Sequence, residues 1–245
     1  MSEVNIICMK WGTAYGPEYV NRLYGMVSRN LTHPFRFVCF TDDGAGVRNE
    51  VEIKPIPDFG LPPDASNRNW NKWRKLVTWD RKLADVTGKT LFLDLDVIIV
   101  DNIDCFVEYD AEFAIILDQL RPKRRVGNSS VYLYDIGKFP EIIDRFRRES
   151  EYIHRNFSNE QHYLSHEMDK MGKLTFWPAG WCPSYKYRCV GSWPNSWFRT
   201  PIKPEGAKIL IFHGDPNPPD AIIGKRKKPL RFIRPAPWLQ EYWQE

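Results

Sequence analysis

The run TLFLDLDVIIV at residues 90–100 constrains the fold of this chain more than any other segment. Its composition predicts a strand that is buried on both faces at the centre of a sheet. Asp94 and Asp96 interrupt the run, and residues two apart on a strand project to the same face. Two ionised carboxylates are costly in a dry core unless they are paired or bound to metal. We therefore expect the strand to deliver both carboxylates to its carboxyl end, where α/β sheets bind ligands.

Carboxylate oxygens at such an edge are typical ligands of Mn²⁺ or Mg²⁺. His213 follows a second apolar run, where a neutral imidazole can act as a third ligand to Mn²⁺, and Gly214 lets the backbone approach a phosphate. The pattern predicts a metal set of Asp94, Asp96 and His213. An Asp-x-Asp triplet alone is a weak sign of a metal site. Its position within a predicted strand strengthens that sign, because Asp is depleted from strands. The alternatives are two aspartates that cap a turn and a histidine with a structural role.

Short apolar runs alternate with helical patterns along the chain, which indicates an α/β fold. Apart from 90–100, the runs predict strands at 4–9, 35–40, 51–56, 112–117, 129–134, 173–177 and 208–212. Helical periodicity predicts a helix that opens at Pro17 and further helices over 70–85, 139–154 and 160–171. In the second of these, Trp73, Leu76, Val77, Leu83 and Ala84 are expected to face inward. Prolines after Asp215 predict an extended tail.

Composition limits the class of protein. The chain has 245 residues, 42% of them hydrophobic, which predicts one large domain or one domain with an appendage. Its five cysteines are scattered and include no Cys-x-x-Cys, which favours a reducing compartment. Neither a signal peptide nor a run of membrane-spanning length is visible, so we expect a soluble, cytoplasmic protein.

The net charge of +4 is mild, but basic residues cluster in two places. Such clusters favour anionic partners, although a solvated surface is an equal alternative. We divide the chain into a domain over 1–220 and a basic, aromatic tail over 221–245. The tail aromatics predict docking either on the domain itself or at the inner face of a membrane. The clusters are Arg121, Lys123, Arg124 and Arg125, and Lys225, Arg226, Lys227, Lys228, Arg231 and Arg234.

Several motifs occur in an order that resembles a known family. They are Lys75-Leu76, the stretch from Leu91 to Asp104, Asn128-Ser129-Ser130, Glu160-Gln161, and the stretch from His213 to Pro218. Over about residues 4–218 the chain is similar to nucleotide-sugar glycosyltransferases of the GT-A fold. It is most similar to glycosyltransferase family 8, which includes glycogenin and bacterial lipopolysaccharide galactosyltransferases. The resemblance implies a Rossmann-like mixed central sheet flanked by helices in a single domain.

The resemblance also implies an activity of the hexosyltransferase type in polysaccharide biosynthesis. A UDP-sugar donor would bind through Mn²⁺ or Mg²⁺ and pass its sugar, with retention, to a hydroxyl of a glycan or glycolipid acceptor. The metal would neutralise the repulsion between the diphosphate and the two aspartates and stabilise the leaving nucleotide. The sugar-pocket residues would be Asp118, Glu160 and Gln161, and the donor contacts would be Met9, Trp11, Thr13, Tyr15, Asp43, Lys75, Asp94, Leu95, Asn128 and Gly214.

Three positions depart from the family pattern. Asn217 stands where the family has a lysine, for which Lys203, Lys225 or Arg226 are the candidate replacements. Glu160 replaces Asp and Ser130 replaces Gly. Rival interpretations are an inactive nucleotide-sugar-binding relative, a haloacid-dehalogenase-like phosphatase and a nucleic-acid-binding module. The aromatics lie mostly in apolar runs and no recognition motif is visible, so we expect no nucleic-acid partner.

Overall fold

The computed structural model describes residues 3–58, 60, 71–119, 122–191, 195–225 and 233–245. Its strands are β1 Val4–Lys10, β2 Phe35–Thr41, β3 Glu52–Pro55, β4 Gly88–Leu93, β5 Ile98–Ile99, β6 Phe113–Leu117, β7 Gly127–Ile136, β8 Thr175–Phe176 and β9 Ile209–Leu210. Its α-helices are α1 Pro17–Asn30, α2 Asp104–Val107, α3 Glu141–Asn156, α4 Glu160–Lys170 and α5 Pro218–Ile223.

Seven strands form one mixed sheet in the order β3-β2-β1-β4-β7-β6-β8. The strands β3, β2, β1 and β4 run parallel, and β7 is antiparallel to both β4 and β6. β5 and β9 form a separate antiparallel pair. The α/β fold predicted from the residue pattern and the mixed sheet implied by the family resemblance are both confirmed, and β4 is central as expected.

Hydrophobic side chains cover both faces of this sheet. In β1, Ile6 and Cys8 pack on the face that carries α1 and α2, whereas Ile7 and Met9 pack on the face that carries α3 and α4. Alternate residues of a strand point to opposite faces, so a strand with a core on each side must be apolar throughout. This explains why the runs at 4–9 and 90–93 contain so few polar residues.

The predicted strand over 90–100 is interrupted. β4 ends at Leu93, residues 94–97 form a turn, and Ile98–Ile99 join the separate pair with β9. Continuing the strand would have carried two carboxylates along a sheet that is covered on both faces. The turn instead places Asp94 and Asp96 at the carboxyl end of β4, as the charge argument required.

The helix predicted over 70–85 is wrong from residue 72 onward. There the chain forms a 3-10 helix, Arg74–Trp79, in place of the α-helix, and Ala84 is exposed with a φ of 52° rather than facing inward. Val77, Thr78 and Trp79 are weak helix formers. The Thr78 hydroxyl also donates to the Lys75 carbonyl at 2.8 Å and lies 3.1 Å from the Tyr132 hydroxyl, which ties the turn to the sheet.

The tail after Asp215 is not wholly irregular, which corrects the prediction from its prolines. Pro218 opens helix α5, and Gly224 ends it in a left-handed conformation with φ of 74°. Proline is compatible with a first helical turn because its missing N–H would be unpaired there. Farther on, Leu239 and Trp243 join the core on the α1 side, so this part of the tail docks on its own domain.

Trp243 should contribute measurably to stability. It is 6% exposed, packs edge-on against Tyr19 at 5.4 Å and lies under the Arg22 guanidinium at 3.9 Å. We expect Trp243→Ala to lower the free energy of unfolding by about 2–3 kcal/mol. Trp197 is 42% exposed and serves as the matched control. Denaturant unfolding of both variants measures this; equal losses would contradict the packing role of Trp243.

Two further features bear on the sequence predictions. Among the described residues, none of the helices combines the length and apolar character needed to span a membrane. All five cysteines are free thiols, and burial raises the pKa of Cys8, Cys182 and Cys189. Raised pKa values keep these thiols protonated and unreactive at neutral pH.

Candidate active site

The carboxyl ends of β1, β2, β4 and β6 lie at one edge of the sheet, because these strands share a direction. The antiparallel β7 begins at the same edge. The chain therefore brings together the loops after Lys10, Thr41, Leu93 and Leu117 and the start of β7. α/β sheets bind ligands at such an edge.

Lys75 and the two aspartates form the charged centre of this edge. The Lys75 ammonium lies 2.6 Å from Asp94 Oδ1, and the Tyr15 hydroxyl donates to Asp96 Oδ2 at 3.1 Å. Burial opposes the charge on Lys75, but the carboxylates of Asp94 and Glu160 raise its pKa overall. Burial and the charge of Asp94 raise the pKa of Asp96 to about 7. The two aspartates thus repel each other, and Asp96 is the less well compensated.

Glu160 and Gln161 are the first residues of α4, and they lie beside the start of β7 at the same edge of the sheet. The Ser129 hydroxyl donates to Glu160, and the Ser129 backbone N–H donates to Gln161 Oε1 at 3.2 Å. Burial raises the pKa of Glu160, while Lys75 and Ser129 oppose that rise. These contacts fix both side chains against the start of β7.

A pocket of about 330 Å³ opens between these groups. Its walls include Trp11, Lys75, Asp94, Glu160 and Gln161. An aromatic ring, an ammonium, carboxylates and an amide can stack on a ligand ring, neutralise its charge and hydrogen-bond its hydroxyls. The structure therefore brings these five predicted residues together in one concave site.

The first two loops at this edge are tied to each other by residues that the motif analysis missed. The Gly12 N–H donates to Asp42 Oδ2 at 2.9 Å, and the buried Lys10 ammonium donates to the Asp43 carbonyl at 2.9 Å. The Asp43 carboxylate accepts from Ala45 N–H within its own turn. A buried lysine at the end of a strand was the available signal for Lys10, since lysine is rarely buried without a partner.

Several predicted donor contacts have side chains with other roles. Met9 and Leu95 are buried in the hydrophobic cores, so only their backbones can face a ligand. The Asn128 side chain turns back and accepts from Ser130 N–H at 3.0 Å. Thr13 is exposed on the first loop, and Gly214 has a φ of 79° with open space around its α-carbon.

The predicted third metal ligand does not join the aspartates in this structure. No group of three or more His, Cys, Asp or Glu side chains is placed to hold a metal ion within the part of the chain that the structure describes. The His213 ring instead lies 5.8 Å from the ring of Tyr187. Asp118 follows β6 at the same edge as Asp94 and lines a neighbouring cavity.

The charge of the site nevertheless fits a divalent cation. Asp94, Asp96 and Glu160 carry three negative charges when ionised, and Lys75 supplies one positive charge among them. The balance of three against one leaves two negative charges, and carboxylate oxygens are the ligands that Mn²⁺ and Mg²⁺ prefer. The cation would bind at Asp94 and Asp96.

The candidate replacements for the missing family lysine are only partly described. Lys203 donates to the Val100 carbonyl at 3.5 Å and to the Tyr242 hydroxyl at 3.3 Å, so it holds the tail. Lys225 follows α5, and Arg226 lies outside the described residues. Asn217 precedes α5 as its N-cap residue.

Solved structures with the same architecture are glycosyltransferases of the GT-A fold. The galactosyltransferase LgtC, crystallised with donor and acceptor sugar analogs, matches with a TM-score of 0.55 at 13% identity over 87% of this chain and 88% of LgtC. An active-site mutant of LgtC matches with a TM-score of 0.50 at 14% identity over 87% and 89% of the two chains.

The apo-form glycosyltransferase GlyE of Streptococcus pneumoniae TIGR4 matches with a TM-score of 0.63 at 12% identity. The alignment covers 100% of this chain and 61% of GlyE. No family model matches the sequence. No curated protein matches it either. At these identities the likeness establishes the fold, and the GT-A fold implied by the family resemblance is confirmed.

Proposed function

We propose that this chain is a metal-dependent glycosyltransferase that moves a sugar from UDP to a hydroxyl of a glycan or glycolipid, with retention. The observation that supports this most is the cluster of three carboxylates around Lys75 at the ligand-binding edge of a GT-A sheet. Retention rests on the family resemblance alone. LgtC was solved with donor and acceptor sugar analogs, which are the ligand types proposed here.

In this proposal Asp94 and Asp96 hold Mn²⁺ or Mg²⁺, with His213 as a third ligand proposed from the family pattern. When bound, the cation would offset the diphosphate charge and stabilise the leaving nucleotide. Trp11 would stack on a ring of the donor, and Lys75 would contact its phosphates. Glu160 and Gln161, held by Ser129, would orient the sugar. The leaving phosphate oxygen would accept the proton of the attacking hydroxyl, so this chain needs no separate base.

Thermal unfolding with UDP and Mn²⁺ together, with each alone and with EDTA tests the donor site. At ligand about a hundredfold over Kd, binding stabilises by roughly 2.7 kcal/mol. That corresponds to a rise of about 5–10 °C in a chain of this size. A rise that needs both ligands supports the proposal. Absence of any rise with UDP or other nucleoside diphosphates would refute it, and binding without sugar transfer would indicate an inactive relative.

We also propose that the tail contacts an anionic membrane surface near a lipid-linked acceptor. Of its basic run, residues 226–232 lie outside the described residues, and Lys225 is exposed. Because Leu239 and Trp243 belong to the core, deletion of the tail would disturb the fold, so charge removal is the better test. Sedimentation with phosphatidylglycerol vesicles should fall when Lys225, Arg226, Lys227 and Lys228 are changed to Gln. Unchanged sedimentation would refute the membrane contact.

A further inference from the structure

A second and larger cavity, of about 830 Å³, adjoins the candidate donor pocket. The two cavities share Lys72, Asn159 and Gln161 in their walls. Asp118 lies in the wall of the larger cavity. A group bound in the larger cavity would therefore be next to a sugar bound beside Gln161. This is the position that a second substrate must occupy for direct transfer.

The walls of the larger cavity carry more basic than acidic side chains. Asp118 is their acidic side chain among the described residues, and the basic ones are Lys72, Arg124, His154, Arg155 and His162. Even with both histidines neutral, three positive charges face one negative charge, which leaves a balance of two positive charges. A cleft lined by one sign of charge concentrates ligands of the opposite sign.

Within the part of the chain that the structure describes, two of these cations have no acidic partner. Arg155 lies 3.5 Å from Glu151, whereas Lys72 and Arg124 take part in none of the ion pairs between described residues. Both side chains are exposed at the cavity wall. Exposed lysine and arginine side chains that are not engaged in an ion pair are available to bind carboxylate or phosphate oxygens. Arginine can do so through two parallel hydrogen bonds.

The surroundings of His162 indicate the same positive potential. Burial, His166 and Arg124 lower the pKa of His162, and no acidic group contributes to its shift. Asn159 caps α4 by accepting from the His162 N–H at 3.1 Å, so the start of this helix lies in the cavity wall. A helix start favours negative charge nearby. Glu160 already lies in this first turn, so the positive potential of the cavity is assigned to the side chains of its walls.

From these observations we infer that the larger cavity binds an acidic group of the acceptor, so that the acceptor is an anionic saccharide carrying a carboxylate or a phosphate ester. This inference rests on the proposed transferase function, because it assigns the second substrate of that reaction. A neutral acceptor would supply no counter-charge to Lys72 and Arg124. In the proposed function the donor diphosphate would bind in the smaller pocket beside Lys75 and Asp94, which meets this cavity at Gln161.

The test compares matched saccharide probes on the full chain by NMR titration at low salt. Methyl glucuronide is compared with methyl glucoside to test for carboxylate recognition. Glucose 6-phosphate is compared with glucose to test for phosphate recognition. We expect at least one acidic probe to bind about tenfold more tightly than its neutral match. Arg124→Gln or Lys72→Gln should weaken the binding of that acidic probe about tenfold. Arg148→Gln, an exposed arginine outside both cavities, is the matched control and should leave binding unchanged.

Equal affinities for acidic and neutral probes, or an equal effect of Arg148→Gln, would overturn the inference. The UDP and Mn²⁺ thermal shift is measured in the same proteins. Arg124 lines the larger cavity and not the donor pocket, so loss of that shift in Arg124→Gln would place the donor diphosphate in the larger cavity and also overturn the inference. Absence of the shift in the unaltered chain would refute the transferase proposal, while the probe titrations would still decide whether the cavity binds acidic saccharides.

Discussion

Replacing Asp96 by Asn should lower sugar transfer by about a thousandfold while raising the stability of the metal-free protein. The carboxylate is proposed to hold the cation that stabilises the leaving diphosphate, an effect worth several kcal/mol. In the folded protein the pKa of Asp96 is raised from 3.8 to about 7. A folded-state pKa above the unfolded value means that the ionised carboxylate opposes folding at neutral pH. The neutral amide removes that penalty.

Two measurements check this prediction: UDP release from UDP-sugar donors with Mn²⁺, and thermal unfolding in EDTA. His213→Ala is the informative comparison, because the structure does not bring His213 to the aspartates. If the two carboxylates dominate metal binding, His213→Ala loses less activity than Asp96→Asn. Retention of full transfer by Asp96→Asn would rule out Asp96 as a ligand of an essential metal.

Lys75→Met should have the largest effect on stability among changes in the site. Lys75 is the ammonium next to Asp94, and its charge also acts on Glu160 and Asp96. The Lys75 and Asp94 side chains are 17% and 22% exposed, so removing the lysine should cost less than the loss of about 3–5 kcal/mol that follows when a fully buried pair is broken. Mn²⁺ should restore much of this loss, because a divalent cation can replace the missing positive charge.

Denaturant unfolding of Lys75→Met with and without Mn²⁺ measures both effects. Lys82→Met is the matched control, since Lys82 is exposed and lies outside the site. Its stability should stay within about 0.5 kcal/mol of the parent chain and should not depend on Mn²⁺. A Lys75→Met protein that is destabilised but insensitive to Mn²⁺ would argue that the carboxylates around Lys75 do not bind the ion.

The sheet was predictable because its strands are buried on both faces. β1 and β2 consist largely of apolar residues and β4 ends in the apolar run Leu91–Leu93, a pattern that the polar segments between them lack. Helices with clear stripes, such as α1, were equally predictable. The segment at 74–79 was not, because an apolar stripe shows which residues are buried but not whether weak helix formers such as Thr78 will sustain a full α-helix.

The candidate site was predicted in part. The structure brings Asp94, Asp96, Lys75, Glu160 and Gln161 together at one edge of the sheet, and their roles there stay predictions. The sequence did not reveal that the Tyr15 hydroxyl donates to Asp96 or that Ser129 holds Glu160 and Gln161. Such hydrogen bonds join residues that are distant in the chain, and no local pattern encodes their geometry.

The sequence by itself determined that the chain forms an α/β sheet with two carboxylates at the end of its central strand, because burial and charge act on each residue locally. Only the tertiary structure decided that the strand stops at Leu93, that three carboxylates share Lys75, and that Arg124 and Lys72 line a common cavity. These outcomes depend on distances between segments that are far apart in the chain. Electrostatic energies vary steeply with such distances and with burial, and both are set by the packing of the whole domain.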